Sequence, residues 1–231
     1  MSKEKLGLTG NTLKLMAIVF MTVDHIGIML FPNVLPLRII GRLAFPIFAF
    51  MIAEGCTYSK NRNRYLITVA VFAAACQVVY LVAMQSVYMC IFVTFALSII
   101  LICALDNALS KKTVLAWILC AVSFAAVYFV ADVVPVRYRV SDFRIDYDFV
   151  GILMPVIIWI GRNKKEKLVL AAISCLLLGA VHGWIQWYCL LAVPLLALYN
   201  GKRGTGKMKY LFYFYYPLHL AAIYGIGLLV T

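Results

Sequence analysis

Residues 13 to 31 read LKLMAIVFMTVDHIGIMLF, an apolar run long enough to cross a membrane as one helix. About 20 apolar residues, each rising 1.5 Å, span the hydrocarbon core of a bilayer. The run is too long for the core of a removable signal peptide, and it carries Asp24 and His25. We therefore expect it to be retained as the first membrane helix.

Further apolar runs follow along the whole chain, which gives a count of about nine, and three of the later ones are short. Short runs cross steeply, re-enter the membrane, or are extended by flanking residues. We expect an all-α, polytopic transmembrane helix bundle that forms a single integral membrane domain over residues 1–231. The runs are Leu13–Phe31, Leu37–Tyr58, Tyr65–Met84, Val87–Leu105, Val114–Val134, Phe149–Gly161, Leu168–Val181, Trp184–Tyr199 and Tyr210–Val230.

Composition supports this class and excludes others. Of the 231 residues, 65% are hydrophobic and only 13% are charged, far from the values of soluble proteins. The formal net charge of +12 lies in short clusters between apolar runs rather than on a continuous basic face, so nucleic acid is not an expected partner. The seven cysteines all lie within apolar runs, and we interpret them as reduced packing residues.

The basic clusters instead predict the topology. Most of the 21 Lys and Arg residues precede the first run or follow the second, fourth, sixth and eighth. Since positive charge collects in cytoplasmic loops, this alternation predicts a cytoplasmic N-terminus and an outer C-terminus. We expect a multi-pass protein of the bacterial cytoplasmic (cell) membrane.

Ionisable residues at membrane depth are costly and are therefore candidates for function. They are Asp24, His25, Arg42, Glu54 and His219. Counted from the cytoplasmic ends of their helices, Asp24 and His25 lie about 17 Å deep and His219 about 14 Å deep. The two histidines thus share a depth, and a neutral imidazole there suits a general base or a nucleophile.

Structural explanations compete with each of these roles. Asp24 could fix the tautomer of His25 or pair with Arg42, and the pair could simply hold helices together. His219 follows Pro217 and could satisfy a carbonyl that the proline frees. Glu54 could be a solvated helix end, and Arg42 could extend towards the outer surface.

The loop at residues 201–208, GKRGTGKM, is similar to a phosphate loop. Met208 stands where Ser or Thr would hold magnesium, and no strand precedes the loop, so we exclude a nucleotide hydrolase. Its backbone N–H groups with Lys202, Arg203 and Lys207 could still bind a cytoplasmic phosphate. The sequence contains no ligand spacing typical of a metal site.

Several segments together resemble one family. LMAIVFMTVDHIG at 15–27, GRLAFPIFAF at 41–50 with Glu54-Gly55, DYDFVG at 146–151, LYNGKRG at 198–204 and KYLFYFYYPLHL at 209–220 resemble the motifs of the TraX family in order. One position departs from the expected central motif, because Asp148 stands where a glycine is expected.

This resemblance implies an acyltransferase related to conjugative pilin acetylases, which transfer an acetyl group from acetyl-CoA to a pilin N-terminus. Besides Asp24, His25 and His219 as catalytic candidates, the matched polar residues are candidates for substrate binding. They are Arg42, Glu54, Asp146, Tyr147 and Asn200.

The sequence thus predicts an O- or N-acetyltransferase that moves a short acyl group from cytoplasmic acyl-CoA to an outer amine or hydroxyl. The acceptor could be a peptide N-terminus, a glycan or a small molecule. His25 would act as the base or carry the acyl group, with Asp24 orienting it, and His219 would be a second acid or base. A proton-coupled transporter or flippase that uses the same midplane residues is the alternative, and a noncatalytic assembly subunit is a third possibility.

Overall fold

The structure is a computed structural model that describes residues 7–83, 85–138, 142–205 and 209–230. Helices dominate these ranges, which contain no β-strand, only two isolated bridges between extended residues. The predicted all-helical fold is confirmed. The helices are α1 (Gly10–Met29), α2 (Leu35–Gly41), α3 (Ala44–Tyr58), α4 (Arg62–Ala83), α5 (Ile91–Lys111), α6 (Val114–Tyr128), α7 (Val134–Tyr138), α8 (Asp148–Ile160), α9 (Lys164–His182), α10 (Ala192–Ala197) and α11 (Lys209–Val230), with a π-helical turn at Phe129–Val133 and a 3-10 helix at Trp184–Leu191.

Each apolar run of the sequence corresponds to a helical segment. Within the described ranges, five helical stretches are long and apolar enough to cross a membrane, and Asp148–Ile160 and Trp184–Ala197 are apolar but shorter. The protein is therefore a membrane protein, while the count of about nine crossings and their directions stay predictions. The five stretches are Gly10–Met29, Leu35–Tyr58, Arg62–Val82, Ile91–Lys111 and Val114–Tyr138.

The chain groups into two units. One comprises residues up to Met51 together with those from Asn163 onward, and the other comprises Ile52–Arg162. The boundary between Met51 and Ile52 lies inside α3. The expectation of one integral membrane domain stays a prediction.

In the first unit, α1 packs against α2 and α11, and the 3-10 helix packs against α2 and α9. The Thr9 hydroxyl accepts a hydrogen bond from the N–H of Thr12 (3.2 Å) and so begins α1 in the usual way for an N-cap threonine. Cys175 and Cys189 each donate to the carbonyl of the other, which joins α9 to the 3-10 helix. All seven cysteines of the chain are free and all but Cys103 are buried, as expected for packing residues.

In the second unit, α5 is the central helix and packs against α4, α6 and α8. Ser98 of α5 donates to the carbonyl of Ile152 on α8 (2.7 Å), and Thr94 donates to the carbonyl of Asp146 just before that helix (2.7 Å). Buried hydroxyls therefore fix the register of α8 against α5, since a buried polar group requires a partner.

The close approach of α1 and α2 depends on Gly41. A Cβ atom built on Gly41 would overlap the carboxylate of Asp24 on α1. A side chain at position 41 would therefore displace Asp24 or separate the two helices.

We predict that Gly41→Ala destabilises the protein by about 1–3 kcal/mol, the usual cost of overpacking. Gly225→Ala on α11 is the control, because no described heavy atom lies within 4 Å of a Cβ built there. Alanine favours a helix over glycine, so the control variant should be unchanged or slightly stabilised. Thermal unfolding in detergent measures both; equal midpoints would contradict the packing argument.

Candidate functional site

A largely buried ion-pair cluster lies where α1 meets α2. Asp24 accepts from Nη1 of Arg38 through Oδ1 (2.7 Å) and from Nη2 of Arg42 through Oδ2 (2.5 Å). The two arginines are four residues apart, which puts both on one face of the helix. Two guanidinium groups thus face one carboxylate in helical segments that are expected to cross the membrane, where each charge is costly.

The cluster extends to the 3-10 helix through Gln186. Nη1 of Arg42 donates to the side-chain carbonyl oxygen of Gln186 (3.1 Å), and Gln186 is only 2% exposed. Because a guanidinium group can only donate, the amide oxygen must face Arg42 and the amide nitrogen must point away from it. That nitrogen is buried, and no described residue accepts a hydrogen bond from it.

Two histidines meet between α1 and α11. Nε2 of His219 lies 3.3 Å from Nδ1 of His25, and the two ring centroids are 4.9 Å apart. Nδ1 of His25 also lies 2.8 Å from the carbonyl of Met21, and Nδ1 of His219 lies 3.0 Å from the carbonyl of Tyr215. The sequence prediction that the two histidines share a depth agrees with this contact.

The carbonyl contacts assign the protons of both neutral rings. A carbonyl only accepts, so Nδ1 of each histidine carries its proton. Nε2 of His219 is then a lone pair that can accept from Nδ1–H of His25, which also donates to Met21. Nε2 of His25 is left unprotonated, and the described residues form no hydrogen bond with it.

A tyrosine supports His219. The ring of Tyr215 stacks on that of His219 at 5.2 Å, and Tyr216 meets it edge-on at 5.4 Å. The Thr22 hydroxyl donates to the carbonyl of Ile18, so the Tyr215 hydroxyl, 2.8 Å away, must donate to Thr22. These contacts fix α11 against α1 beside the histidine pair.

The alternative role for His219 is not supported by its contact. A proline at position 217 leaves the carbonyl of residue 213 without its helical N–H partner. His219 bonds instead to the carbonyl of Tyr215. Its ring therefore faces His25 and does not bond the carbonyl of residue 213, which the proline frees.

The orienting contact expected between Asp24 and His25 is replaced by other partners. Both oxygens of Asp24 bind arginines, and within the described ranges His25 hydrogen-bonds only Met21 and His219. Neighbouring residues of a helix point about 100° apart, so the two side chains face different helices.

Three of the predicted binding residues belong to the second unit. Glu54 is buried on α3. The carboxylate of Asp146 accepts from the hydroxyl of Tyr88 (2.8 Å), and Tyr147 adopts a left-handed conformation (φ 63°) before α8. Burial and the neighbouring Asp146 carboxylate raise the pKa of Tyr88, which keeps its hydroxyl proton in this bond.

The predicted binding residues Asn200, Lys202 and Arg203 lie in the loop after α10, which pairs with the segment before α1. Asn200 donates to the carbonyl of Gly7 (3.2 Å) and accepts from the N–H of Lys202 (2.9 Å). The carbonyls of Lys202 and Arg203 accept from the first residues of α1, at 2.8 and 2.9 Å, while both residues are exposed. Lys207 lies outside the described residues.

Sequence reasoning missed Arg38 and Gln186. The spacing of four residues between Arg38 and Arg42 was a usable signal, because it places both side chains beside one partner on α1. Gln186 gave a weaker signal as a single amide between tryptophans. Its contact with Arg42 joins residues 144 positions apart, which no local pattern reveals.

One family model matches nearly the whole chain. The family model described as TraX protein matches residues 9–227. A protein named "Probable fimbrial assembly protein FimC, serogroup H1", from Dichelobacter nodosus, is 26% identical over an alignment of 241 residues that covers 91% of this chain and 92% of that protein. RP591 of Rickettsia prowazekii (strain Madrid E) is 42% identical over 57 residues, a quarter of this chain (25%) and 23% of that protein. No solved structure matches.

We predict that Asp24→Asn destabilises the protein by about 3–5 kcal/mol, because it removes the carboxylate that accepts from the buried Arg42 and the partly buried Arg38. Asp106→Asn is the matched control, since Asp106 pairs with Arg62 at a more exposed position and should cost about 1 kcal/mol or less. Thermal unfolding in detergent compares the two. Similar losses of stability in the two variants would show that the ion pairs of Asp24 contribute no more to stability than the pair between Arg62 and Asp106.

Proposed function

The chain belongs to the TraX family, and from this premise and the site geometry we propose that it is a multi-pass membrane acyltransferase. It moves an acetyl or other short acyl group from cytoplasmic acyl-CoA to an amine or hydroxyl acceptor at the outer side of the bacterial cytoplasmic membrane. The name of the Dichelobacter relative, a fimbrial assembly protein, makes a protein or peptide N-terminus one acceptor to test.

The observation that carries the proposal is the assigned state of His25. Its Nδ1–H is held by the carbonyl of Met21 and the lone pair of His219, so its Nε2 offers a lone pair. A fixed tautomer with an open basic nitrogen is what general base catalysis requires. The bonds that join His25 to the rest of the described chain use only Nδ1, so Nε2 remains available for chemistry.

The proposed reaction moves one proton. Nε2 of His25 takes the proton from the acceptor amine or hydroxyl as its nitrogen or oxygen attacks the thioester carbonyl carbon. The C–S bond then breaks, and the proton passes from His25 to the CoA thiolate, which leaves as the thiol. The imidazolium formed in between keeps its Nδ1–H bonds to Met21 and His219, so the ring need not reorient.

The donor would enter from the cytoplasmic side. Lys202 and Arg203 are exposed beside the start of α1, and with Lys207 they could hold the phosphates of acyl-CoA. With the predicted topology, the donor phosphates would lie at the cytoplasmic end of the helix that carries His25. Glu54, Asp146, Tyr147 and Asn200 stay predicted contacts of the substrates.

We predict that His25→Ala lowers the rate of acyl transfer by about 10²–10⁴-fold, the usual contribution of a general base. His182→Ala, at the last residue of α9, is the matched control and should retain activity. The measurement is transfer of labelled acetyl from acetyl-CoA by the purified protein in liposomes. Equal rates in the two variants would remove His25 from the mechanism.

The same liposomes test the competing function. A proton-coupled transporter or flippase would move solute or lipid without forming an acylated product, and a noncatalytic subunit would do neither. Net transport that depends on His25, with no acylated acceptor detected by mass spectrometry, would replace the proposed function.

We predict that His219 positions His25 rather than touching the substrates. His219→Leu removes the lone pair that accepts from His25 and should lower kcat about tenfold or more, with KM nearly unchanged. His219→Gln offers an amide oxygen in place of that lone pair and should restore part of kcat. A rise in KM without a fall in kcat would instead indicate that His219 binds a substrate.

A further inference from the structure

The two helices that carry the histidine pair make a second polar contact about one helical turn away. The Tyr215 hydroxyl of α11 donates to the Thr22 hydroxyl of α1 (2.8 Å). Thr22 precedes His25 by three residues, and Tyr215 precedes His219 by four. Residues three or four apart lie on the same face of a helix, so both contacts belong to one interface. Two contacts at different heights fix the rotation of α11 about its axis relative to α1.

Tyr215 orients the ring of His219 in two ways. The two rings are stacked, with their planes only 11° apart and their centroids 5.2 Å apart. The carbonyl of Tyr215 lies 3.0 Å from Nδ1 of His219 and accepts its proton. Stacking sets the plane of the imidazole, and the carbonyl determines which ring nitrogen keeps a lone pair. The direction of the lone pair that faces His25 therefore depends on Tyr215.

Thr22 holds the Tyr215 side chain in this position. The Thr22 hydroxyl donates to the carbonyl of Ile18 in its own helix (2.8 Å), so its oxygen is fixed and accepts from Tyr215. A tyrosine that is bonded through its hydroxyl and stacked through its ring is held in one side-chain conformation. The contacts therefore form a closed path that leaves α1 at Thr22, passes through Tyr215 and His219, and returns to α1 at His25.

A proline in α11 explains why both contacts are needed. Pro217 lies between Tyr215 and His219 and has no N–H, so the helix lacks one backbone hydrogen bond at this point. Helices bend at such positions, because the turns on either side are connected less firmly. The tyrosine contact lies before the proline and the histidine contact lies after it. Together they hold both sides of the proline against α1.

Helix packing alone does not require the pair of hydroxyls. Hydrogen bonds between membrane helices stabilise them only weakly on average. Phenylalanine and valine in place of Tyr215 and Thr22 would have nearly the same shapes and would bury no polar atom. What the hydroxyl pair adds to packing is a fixed direction for the Tyr215 ring, and hence for the imidazole that stacks on it.

We propose that Thr22 and Tyr215 are positioning residues for acyl transfer. They fix the ring of His219 so that its lone pair accepts from Nδ1–H of His25, and they touch neither substrate. With Nδ1 held as the protonated nitrogen, Nε2 of His25 remains the basic one. This assignment rests on the proposed function, because it concerns the orientation of the base in that reaction.

Thr22→Val tests the contact and has a matched control. Thr68 of α4 also donates to the carbonyl four residues earlier, that of Arg64 (2.8 Å), and in the described chain its hydroxyl bonds no second residue. With labelled acetyl-CoA in liposomes, Thr22→Val should lower kcat about three- to tenfold, the range that one hydrogen bond supplies, with KM nearly unchanged. Thr68→Val should keep both constants. Thr22→Ser retains a hydroxyl and should restore most of kcat.

Tyr215→Phe removes the same bond from the other side and keeps the stacked ring. Because the two hydroxyls act through one bond, the double variant Thr22→Val/Tyr215→Phe should lose no more kcat than either single variant. Losses that multiply in the double variant would show that the two residues act separately, which overturns the proposal. Thermal unfolding of each variant in detergent establishes that it is folded.

Nitrogen-15 spectra follow the orientation of His25 without any reaction. The full-length protein is labelled at its three histidines and measured in detergent at a pH where the imidazoles are neutral. The two nitrogens of a ring have well-separated chemical shifts when one tautomer is populated, and the shifts converge when both are. We expect separated shifts for His25 in the unchanged protein and convergence in Thr22→Val and Tyr215→Phe. The resonances that His25→Ala removes identify His25.

The outcomes separate this role from the proposed reaction. Equal kcat values in Thr22→Val and Thr68→Val, or His25 shifts that stay the same in Thr22→Val and Tyr215→Phe, overturn the positioning role. A rise in KM without a fall in kcat also overturns it, because the two residues would then bind a substrate. Convergence of the shifts in a protein that transfers no acyl group would retain the positioning role while removing the acyltransferase function.

Discussion

The carboxylate of Asp24 is the constraint on which the first unit depends. It lies in a membrane helix, where an unpaired charge is expensive, and it accepts from two arginines of the neighbouring segment. To bring them within reach, α1 and α2 must approach so closely that only glycine fits at position 41. Arg42 also fixes the position of the 3-10 helix, because it donates a hydrogen bond to the side chain of Gln186. One carboxylate thus sets the positions of three helical segments.

Successive residues of a helix point in different directions, so His25 contacts different neighbours from Asp24. Because His25 points about 100° away from Asp24, it faces α11 while Asp24 faces α2. Its tautomer is fixed by a carbonyl of its own helix and by a second histidine, which is held by a carbonyl and by Tyr215. The packing of α1 and the chemistry proposed for it are therefore separated onto two faces of one helix.

The local sequence pattern was sufficient to predict part of this arrangement. Apolar runs long enough to span a bilayer predicted the helices, and the expense of charge at depth selected Asp24, His25, Arg42 and His219. The same pattern could not reveal that the second run is divided at Gly41, where α2 ends and Arg42 turns back to cap it. It also could not resolve the eighth run into a 3-10 helix followed by a short α-helix.

The partners of the selected residues required tertiary structure. Asp24 could be expected to pair with Arg42, yet whether it would also orient His25 depended on which helix each face meets. His25 and His219 are 194 positions apart in the sequence. Their similar predicted depth was compatible with a contact between them but did not require one. Gln186 was overlooked because an amide among aromatic residues carries no charge and costs less to bury than an ion.

The composition of the cluster bears on why it persists. Buried ion pairs are often no more stable than apolar residues of similar size, so a purely structural contact between α1 and α2 has cheaper solutions. A single arginine would already neutralise Asp24. The second guanidinium adds a further ion pair between α1 and α2, while the buried amide nitrogen of Gln186 donates to no described residue. The same helix carries His25, whose Nε2 bonds no described residue. The ion pairs thus account for the packing of α1 against α2, and the remaining nitrogen of His25 is the atom that the proposed reaction uses.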